Sequence, residues 1–386
     1  MQKIKVYHFH NGSGGGVLSV IRNLLQFSAN PQIENHVIYT INKKLIKIYA
    51  INKLKGAASE TIFYYSPKWN FYYTCKQLAK LLPDEKAIIV AHDWIELGMA
   101  SMLGLQNKVV QFLHGDYEYY YNLSKLHNNA IDSFIAIAGS IKKKLLNQLP
   151  ERKEAINYLR FPVPDCSCKL NVEKDNAVVF IGRCTKDKGF HLLPEIANSL
   201  QQQGIKLQWH IVGEIESIEK GNNHWDNELE VHFHGSIKNE KVSSLLCKMK
   251  YFILPSIAEG MPLALIESMK AGTVPLVNDL SGGIQELVIN NHTGFKIVNN
   301  NTEEFISKLK YLNSNNKTVL EMSKNCIELS NHLFNQSGNT ELIETEIKKI
   351  SINKSQVKSS YKVYGSRLDN KWLPNFFTYF IRSSKL

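Results

Sequence analysis

Across 386 residues the sequence holds six cysteines, and Cys75, Cys166, Cys168, Cys184, Cys247 and Cys326 form no C-x-x-C pair. So few thiols cannot staple a chain of this length, and a cytosolic protein with reduced thiols is the expectation. The thirteen histidines and these cysteines show no zinc spacing. No apolar run approaches the roughly 18 residues that a membrane-crossing helix needs. Met1–His10 alternates in polarity and has no apolar centre, so it does not read as a signal peptide. Several motifs are missing as well. No Asp-x-Asp metal–diphosphate motif occurs, the nearest match being Asp116-Tyr-Glu118. Neither a P-loop nor a Gly-x-Ser-x-Gly nucleophile elbow is present.

What the sequence has is ordinary globular material, 44% hydrophobic and 21% charged. Because one core stops growing near about 250–300 residues, two domains are expected. The net charge of +11 is uneven. Residues 1–168 carry 20 basic against 12 acidic side chains, 169–350 carry 19 against 22, and 351–386 carry 7 against 1. A wholly basic chain would point to nucleic acid. A basic first half and tail point instead to a polyanionic ligand or an anionic membrane face.

Short apolar, β-branched and aromatic runs recur along the chain. The first set is Ile4–His10, His36–Ile41, Ile62–Tyr65, Ala87–His92, Val109–His114, Phe134–Ala138 and Tyr158–Val163. After a gap come Ala177–Ile181, Leu207–Val212, Val231–Phe233, Tyr251–Leu254, Val274–Val277 and Gly294–Val298. Segments of helical spacing separate most of them, as in Val17 to Leu25 and Leu245 to Met249. Continuous apolar strands alternating with helices predict parallel sheets covered on both faces, an α/β architecture. The polar, proline-bearing stretch from Pro162 to Asn176 reads as a linker. The expected domains are 1–168 and 169–350, both doubly wound, with residues 302–350 helical. A basic aromatic tail, 351–386, is expected to pack back on the first domain or to lie on a membrane.

The most informative stretch runs from Leu254 to Gly272. A strand ends at Leu254, a loop carries Glu259 and Gly260, and Pro262 occupies a favourable first-turn position of a helix that stops at Gly272. The first amides of such a helix, those of Met261, Leu263 and Ala264, have no intrahelical acceptor and lie at the positive end of the helix dipole. A strand–loop–helix start of this kind is an anion site. Glu259 and Glu267 bracket it eight positions apart. In Gly182-Arg183-x4-Lys188-Gly189 a strand ends in a glycine-bounded loop whose guanidinium and ammonium can converge on phosphate oxygens. A third loop, Asn11 to Val17, holds Gly14, Gly15 and Gly16, which permit close approach of backbone amides to a ligand. As a dinucleotide fingerprint that loop fails, because Val17 replaces the last glycine and Tyr39 to Asn42 supplies no acid. Ala91-His92-Asp93-Trp94, Leu113-His114-Gly115-Asp116 and the aromatic cluster Tyr117–Tyr121 also fall at strand ends, which line the crevice of a doubly wound sheet.

Glu259-Gly-Met-Pro-x4-Glu267, taken with Gly182-Arg183-x4-Lys188-Gly189, resembles glycosyltransferase family four, the retaining transferases of GT-B fold. Gly14–Gly16, His114-Gly115, Val212-Gly213-Glu214, Phe233-His-Gly235 and Gly282-Gly283-x-x-Glu286 extend the resemblance to about residue 350. It implies two Rossmann-like domains facing a central cleft. Arg183 and Lys188 would bind the donor diphosphate and stabilise it as leaving group, and Glu267 would hold the ribose. Glu259, with Gly260 and the Met261, Pro262 and Leu263 segment, would contact the donor sugar, and Ile237 would lie near the base. Gly15 and Gly16 would sit near phosphates and acceptor, and His114 would contact the sugar. No cofactor and no metal is implied, only a nucleotide-sugar donor and a cell-surface glycan or lipid-linked acceptor. One departure is local: many relatives place Ser directly after the strand ending at Ala138, whereas this chain has Gly139-Ser140. The reading is a hexosyltransferase that is cytoplasmic or peripheral on the inner face of the membrane. Its alternatives are a nucleotide-sugar epimerase of the same fold and a non-catalytic glycan- or nucleotide-binding module.

Overall fold

The structure, a computed structural model, describes residues 3–13, 15–45, 53–166, 168, 173–215, 224–298, 301–353, 357–361 and 367–384. Gly14 of the expected glycine loop lies outside them. The chain divides into two units, Met1–Pro162 with Gln336–Leu386, and Val163–Asn335.

The first unit is built on a seven-stranded parallel sheet: β1 (Ile4–His10), β2 (Ile33–Asn42), β3 (Ser59–Tyr65), β4 (Ile88–Ala91), β5 (Val109–Leu113), β6 (Ser133–Ala136) and β7 (Ile156–Tyr158). Their order is β3-β2-β1-β4-β5-β6-β7. Every residue of β4, β5 and β6 is buried, as strands covered on both faces must be. The crossovers are α1 (Gly16–Phe27), α2 (Phe71–Ala79), α3 (Ile95–Leu103), α4 (Glu118–Leu126) and α5 (Gly139–Gln148). In α1 the apolar stripe Val20, Ile21, Leu24 and Leu25 is buried, the spacing of one helix face. The expected run Tyr158–Val163 overlaps its strand only at Tyr158. Phe161 and Val163 are buried beyond the ladder instead, where Pro162 and Pro164 have no amide hydrogen to donate.

The second unit carries a six-stranded parallel sheet: β8 (Asp175–Ile181), β9 (Gln208–Val212), β10 (Val231–Gly235), β11 (Met249–Leu254), β12 (Val274–Asn278) and β13 (Phe295–Ile297), in the order β10-β9-β8-β11-β12-β13. Its helices are α6 (Leu193–Gln202), α7 (Asn239–Leu246), α8 (Leu263–Lys270), α9 (Gly283–Leu287), α10 (Thr302–Ser314) and α11 (Asn316–Leu333). The architecture is α/β with two doubly wound sheets, as the strand pattern predicts.

Two boundaries differ from expectation. The first unit ends at Pro162, not at Cys168. Helix α12 (Gln336–Ile352) belongs to the first unit although its sequence continues the preceding helical run. Helical period does not say which sheet a helix covers, and hydrogen bonds decide it here. Glu344 accepts from Ser28 at 2.6 Å, and Glu346 accepts from Ser133 at 2.8 Å and Asn157 at 3.0 Å. The tail packs on the same unit. Lys358 donates to Asp132 at 2.6 Å and to the carbonyls of Asn107 and Ala130. Buried Asn70 holds the carbonyls of Asn370 and Leu373, ahead of the last helix, α13 (Asn375–Ser383). None of the helices among the described residues is long and apolar enough to cross a membrane.

The expectation of reduced thiols fails at one place: Cys168 and Cys247 are bridged. Their separation of 79 residues gave no sign of it. Cys166 and Cys168 come beside the carboxyl end of α7 because the chain entering this unit passes there on its way to β8.

Candidate functional site

In an open parallel sheet, ligands bind beyond the carboxyl ends of strands where the winding reverses. In the second unit β8 lies between β9 and β11, so the reversal falls between β8 and β11. The loops that follow these two strands carry Arg183–Gly189 and Pro255–Pro262.

The two loops are stitched together. Ile257 donates its amide to the Asp187 carbonyl at 3.0 Å. Gly189 has φ +71, and a Cβ there would lie 2.0 Å from the Pro255 carbonyl oxygen, so both backbone conformation and space require glycine. Across the seam Lys188 Nζ donates to Glu259 Oε1 at 2.7 Å. Ser256 Oγ donates to the same oxygen at 2.7 Å, and Asn278 in turn donates to the Ser256 carbonyl. The Lys188 and Glu259 side chains are 18% and 9% exposed, so this pair is largely shielded from water.

Arg183 is different. Its side chain is 68% exposed and its guanidinium pairs with Asp187 at 3.0 Å. Partial burial pushes the Asp187 carboxyl up. The Thr185 hydroxyl and the charges of Arg183 and Lys188 outweigh that and hold it below its ordinary range. Each expected phosphate ligand therefore has a carboxylate partner of its own, Asp187 for Arg183 and Glu259 for Lys188.

The helix head has the form read from the sequence. Pro262 caps α8, no side chain caps it by hydrogen bonding, and no acidic residue stands in its first turn. Its positive end is therefore not neutralised from within the helix. Gly260 and Met261 are buried, and the Gly260 carbonyl accepts from the Gly283 amide at 2.7 Å, which fixes the loop against the start of α9. Leu263, Ala264 and Glu267 are the half-buried positions of α8, and they share one face by their spacing. Ile237 is half-buried in the connection from β10 to α7.

In the first unit the reversal falls between β1 and β4. A cavity of about 260 Å³ opens there, lined among others by His10, Asn11, Ser13, His92, Asp93 and Tyr119. Gly15 caps α1 with φ 126, and Gly16 is the first helical residue; both are exposed. Asp93 accepts from Asn11 at 3.0 Å and from the Tyr119 hydroxyl. His114, just past β5, shares a 2.7 Å hydrogen bond with His92, which in turn meets His8 at 3.3 Å. Burial lowers all three, His8 to about 4 and His114 to about 3, with His92 well below its ordinary value. His114 is thus a neutral imidazole at neutral pH, a hydrogen-bonding group rather than a cation. Ser140, displaced by one residue from the position expected in relatives, has a buried Oγ without a hydrogen-bond partner.

The structure thus brings Lys188 and Glu259 into direct contact, places Gly260 to Leu263 at the same helix head, and sets Glu267 on the face below. It keeps Gly15, Gly16 and His114 in the other unit. Sequence reasoning missed Asp187 and Ser256. Asp187 is visible in the sequence as the acid four residues after Arg183, a spacing that lets the two side chains meet on one turn. Nothing in the sequence singles out Ser256.

Residues 168–329 match the family model described as glycosyl transferases group 1. A glycosyltransferase of Haemophilus influenzae is 26% identical over 84% of this chain and 94% of its own. The N,N'-diacetylbacillosaminyl-diphospho-undecaprenol alpha-1,3-N-acetylgalactosaminyltransferase of Campylobacter jejuni is 27% identical, over 41% of each chain. Other relatives are named for O-antigen biosynthesis. Among solved structures, Anabaena Alr3699/HepE in complex with UDP-glucose superposes with a TM-score of 0.70 at 14% identity, covering 90% of this chain and all of that one. The chain spans 60% of the pneumococcal O-GlcNAc transferase GtfA, at a TM-score of 0.61. These structural neighbours identify the fold as GT-B. The domain match and the named glycosyltransferase relatives support a transferase.

Proposed function

We propose that this chain is a retaining glycosyltransferase that moves a sugar, a hexose by expectation, from a nucleotide-sugar donor to a cell-surface polysaccharide or a lipid-linked glycan. The observation that carries the reading is the Lys188–Glu259 pair at the head of α8, with Arg183 on the adjoining loop. A donor diphosphate offers Lys188 and Arg183 stronger partners than single carboxylates do. Its charge is met by two cations and a helix dipole aimed where the leaving group develops charge, which lowers the barrier. This arrangement handles the diphosphate without a metal ion, the mode we propose. Glu259, released by Lys188, is left to accept from donor sugar hydroxyls, and Glu267 from the ribose.

We assign the cavity of the first unit to the acceptor. Tyr119 and Tyr120 offer rings for a sugar face and Asp93 accepts from hydroxyls, while His114 stands behind the lining residue His92 and fixes its imidazole by their hydrogen bond. The relatives that act on diphospho-undecaprenol-linked sugars and in O-antigen biosynthesis support the acceptor class. The tail supports the reading of peripheral attachment to the inner, anionic face of the membrane. There Trp372, Phe376, Phe377 and Phe380 are exposed beside the exposed Lys371.

The test is incubation with a panel of nucleotide sugars, with and without polysaccharide or lipid-linked acceptors. A transferase releases nucleoside diphosphate and extends the acceptor, with donor anomeric configuration kept in the product's NMR spectrum. A free rearranged sugar formed without acceptor would make the chain an epimerase, and no turnover of any donor would leave a binding module.

A further inference from the structure

Three of the six cysteines meet at one point of the second unit, outside the motifs assigned above. Cys166 and Cys168 stand on the chain entering the unit, and Cys247 follows the last turn of α7. Cys166 Sγ lies 2.8 Å from Cys168 Sγ and 3.4 Å from Cys247 Sγ, and the ligand atoms of all three fall within 4.8 Å of one another. A bridge between Cys168 and Cys247 needs only two sulfurs, so the third is unexplained by the disulfide. The remaining thiols, Cys75, Cys184 and Cys326, are buried, whereas these three residues are half-buried and open to solvent species.

Sulfurs around a zinc ion stand about 2.3 Å from the metal, which puts tetrahedral neighbours roughly 3.8 Å apart. The Cys166 sulfur, 2.8 and 3.4 Å from the other two, is within about 1 Å of that spacing, and opening the Cys168–Cys247 bond frees the three to spread to it. We propose that reduced Cys166, Cys168 and Cys247 form a three-thiolate site for a thiophilic metal ion, Zn(II) in the first instance, with water at the fourth position. Thiolates select such ions over hard cations. The Cys168–Cys247 disulfide is then the oxidised, metal-free form of the same site. Conversion consumes one two-electron reductant of the dithiol class. Its two electrons and two protons go to the sulfurs of Cys168 and Cys247, and the reductant leaves as its own disulfide. Binding of Zn(II) then forms three Zn–S bonds and releases the three thiol protons to solvent. The consequence is local: the ion or the disulfide ties the entering chain to the end of α7.

The test uses the full chain, reduced with a water-soluble phosphine and kept anaerobic. Zn(II) is titrated against a chromophoric zinc indicator, and bound metal is counted after gel filtration. Wild type and Cys75→Ser should each retain about one zinc. Cys166→Ser and Cys247→Ser should bind at least about 100-fold more weakly, since a lost ligand costs no less than a lost outer partner. Zinc should also shield Cys166, Cys168 and Cys247 from iodoacetamide in peptide mass maps. Thermal melts of the metal-free variants establish that each is folded. The proposal is overturned if reduced, folded wild type holds no more zinc than the triple serine variant. It is equally overturned if Cys166→Ser holds zinc as firmly as wild type, which would leave the cluster a plain disulfide with a bystander thiol.

Discussion

Lys188 Nζ stands 2.7 Å from Glu259 Oε1, and through that contact the loops after β8 and β11 act as one piece. The two strands are neighbours in the sheet while their loops lead in opposite directions, which is why residues 71 positions apart meet. The pair links fold to function. It holds the seam of the site, and in the proposed function it keeps an ammonium ready for a stronger anion.

A double-mutant cycle on Lys188→Ala and Glu259→Gln should therefore return a coupling of about 1–3 kcal/mol in urea unfolding, the range for residues in direct contact. Because the Lys188 side chain keeps some exposure, the value should fall short of a fully buried pair. Additive single mutants would mean that the contact carries no energy.

Gly189→Ala should be far more damaging than a surface glycine replacement. Its φ is +71 and the new methyl would meet the Pro255 carbonyl, so one of the stitched loops must move. The expected loss is about 2 kcal/mol or more of unfolding free energy, with nucleoside diphosphate binding weakened alongside. Gly204→Ala, also at positive φ but with open space around it, is the control and should cost less.

Acid should destabilise the first unit through its histidines. Burial lowers His8 and His10 to about 4 and His114 to about 3. Unfolded histidines titrate near about 6.5. Between these values the unfolded chain binds protons that the folded unit does not, so stability is full above 6.5 and is lost as pH falls toward 4. Each histidine should contribute roughly 1 kcal/mol per pH unit in that window. Urea titrations at pH 7.5 and 5.0 check the sign, and a stability that rises toward pH 5 would contradict it.

The tail offers a separate test. Phe376 and Phe380 are 72% and 64% exposed, so replacing both with Asp removes no core contact and should leave the melting temperature within about 2 °C. Co-sedimentation with anionic phospholipid vesicles should fall at least about tenfold. Equal sedimentation of the variant and wild type would confine the tail to packing on the first unit.

Much of this molecule was legible in the sequence because parallel strands buried on both faces write continuous apolar runs. β4 and β5 fall within the runs Ala87–His92 and Val109–His114, and β11 contains the run Tyr251–Leu254. The Pro262 helix start and the Gly189 turn were legible for the same local reason, since proline and glycine mark backbone geometry. Partnerships across the sequence were not. Nothing in the spacing of Lys188 and Glu259 says that they pair with each other before any ligand arrives, nor that Cys247 meets Cys168. The home of α12 was hidden too, because Glu344 and Glu346 read as solvated helix acids until Ser28, Ser133 and Asn157 are seen to hold them.

The central claim is that Lys188 and Arg183 hold a nucleoside diphosphate at the head of α8. Calorimetric titration of a panel of nucleoside diphosphates into wild type, Arg183→Ala and Lys188→Ala tests it most directly. The account predicts that at least one binds wild type and that Lys188→Ala weakens it by about 10²-fold or more, with Arg183→Ala also weaker. Undiminished affinity in folded Lys188→Ala would contradict it.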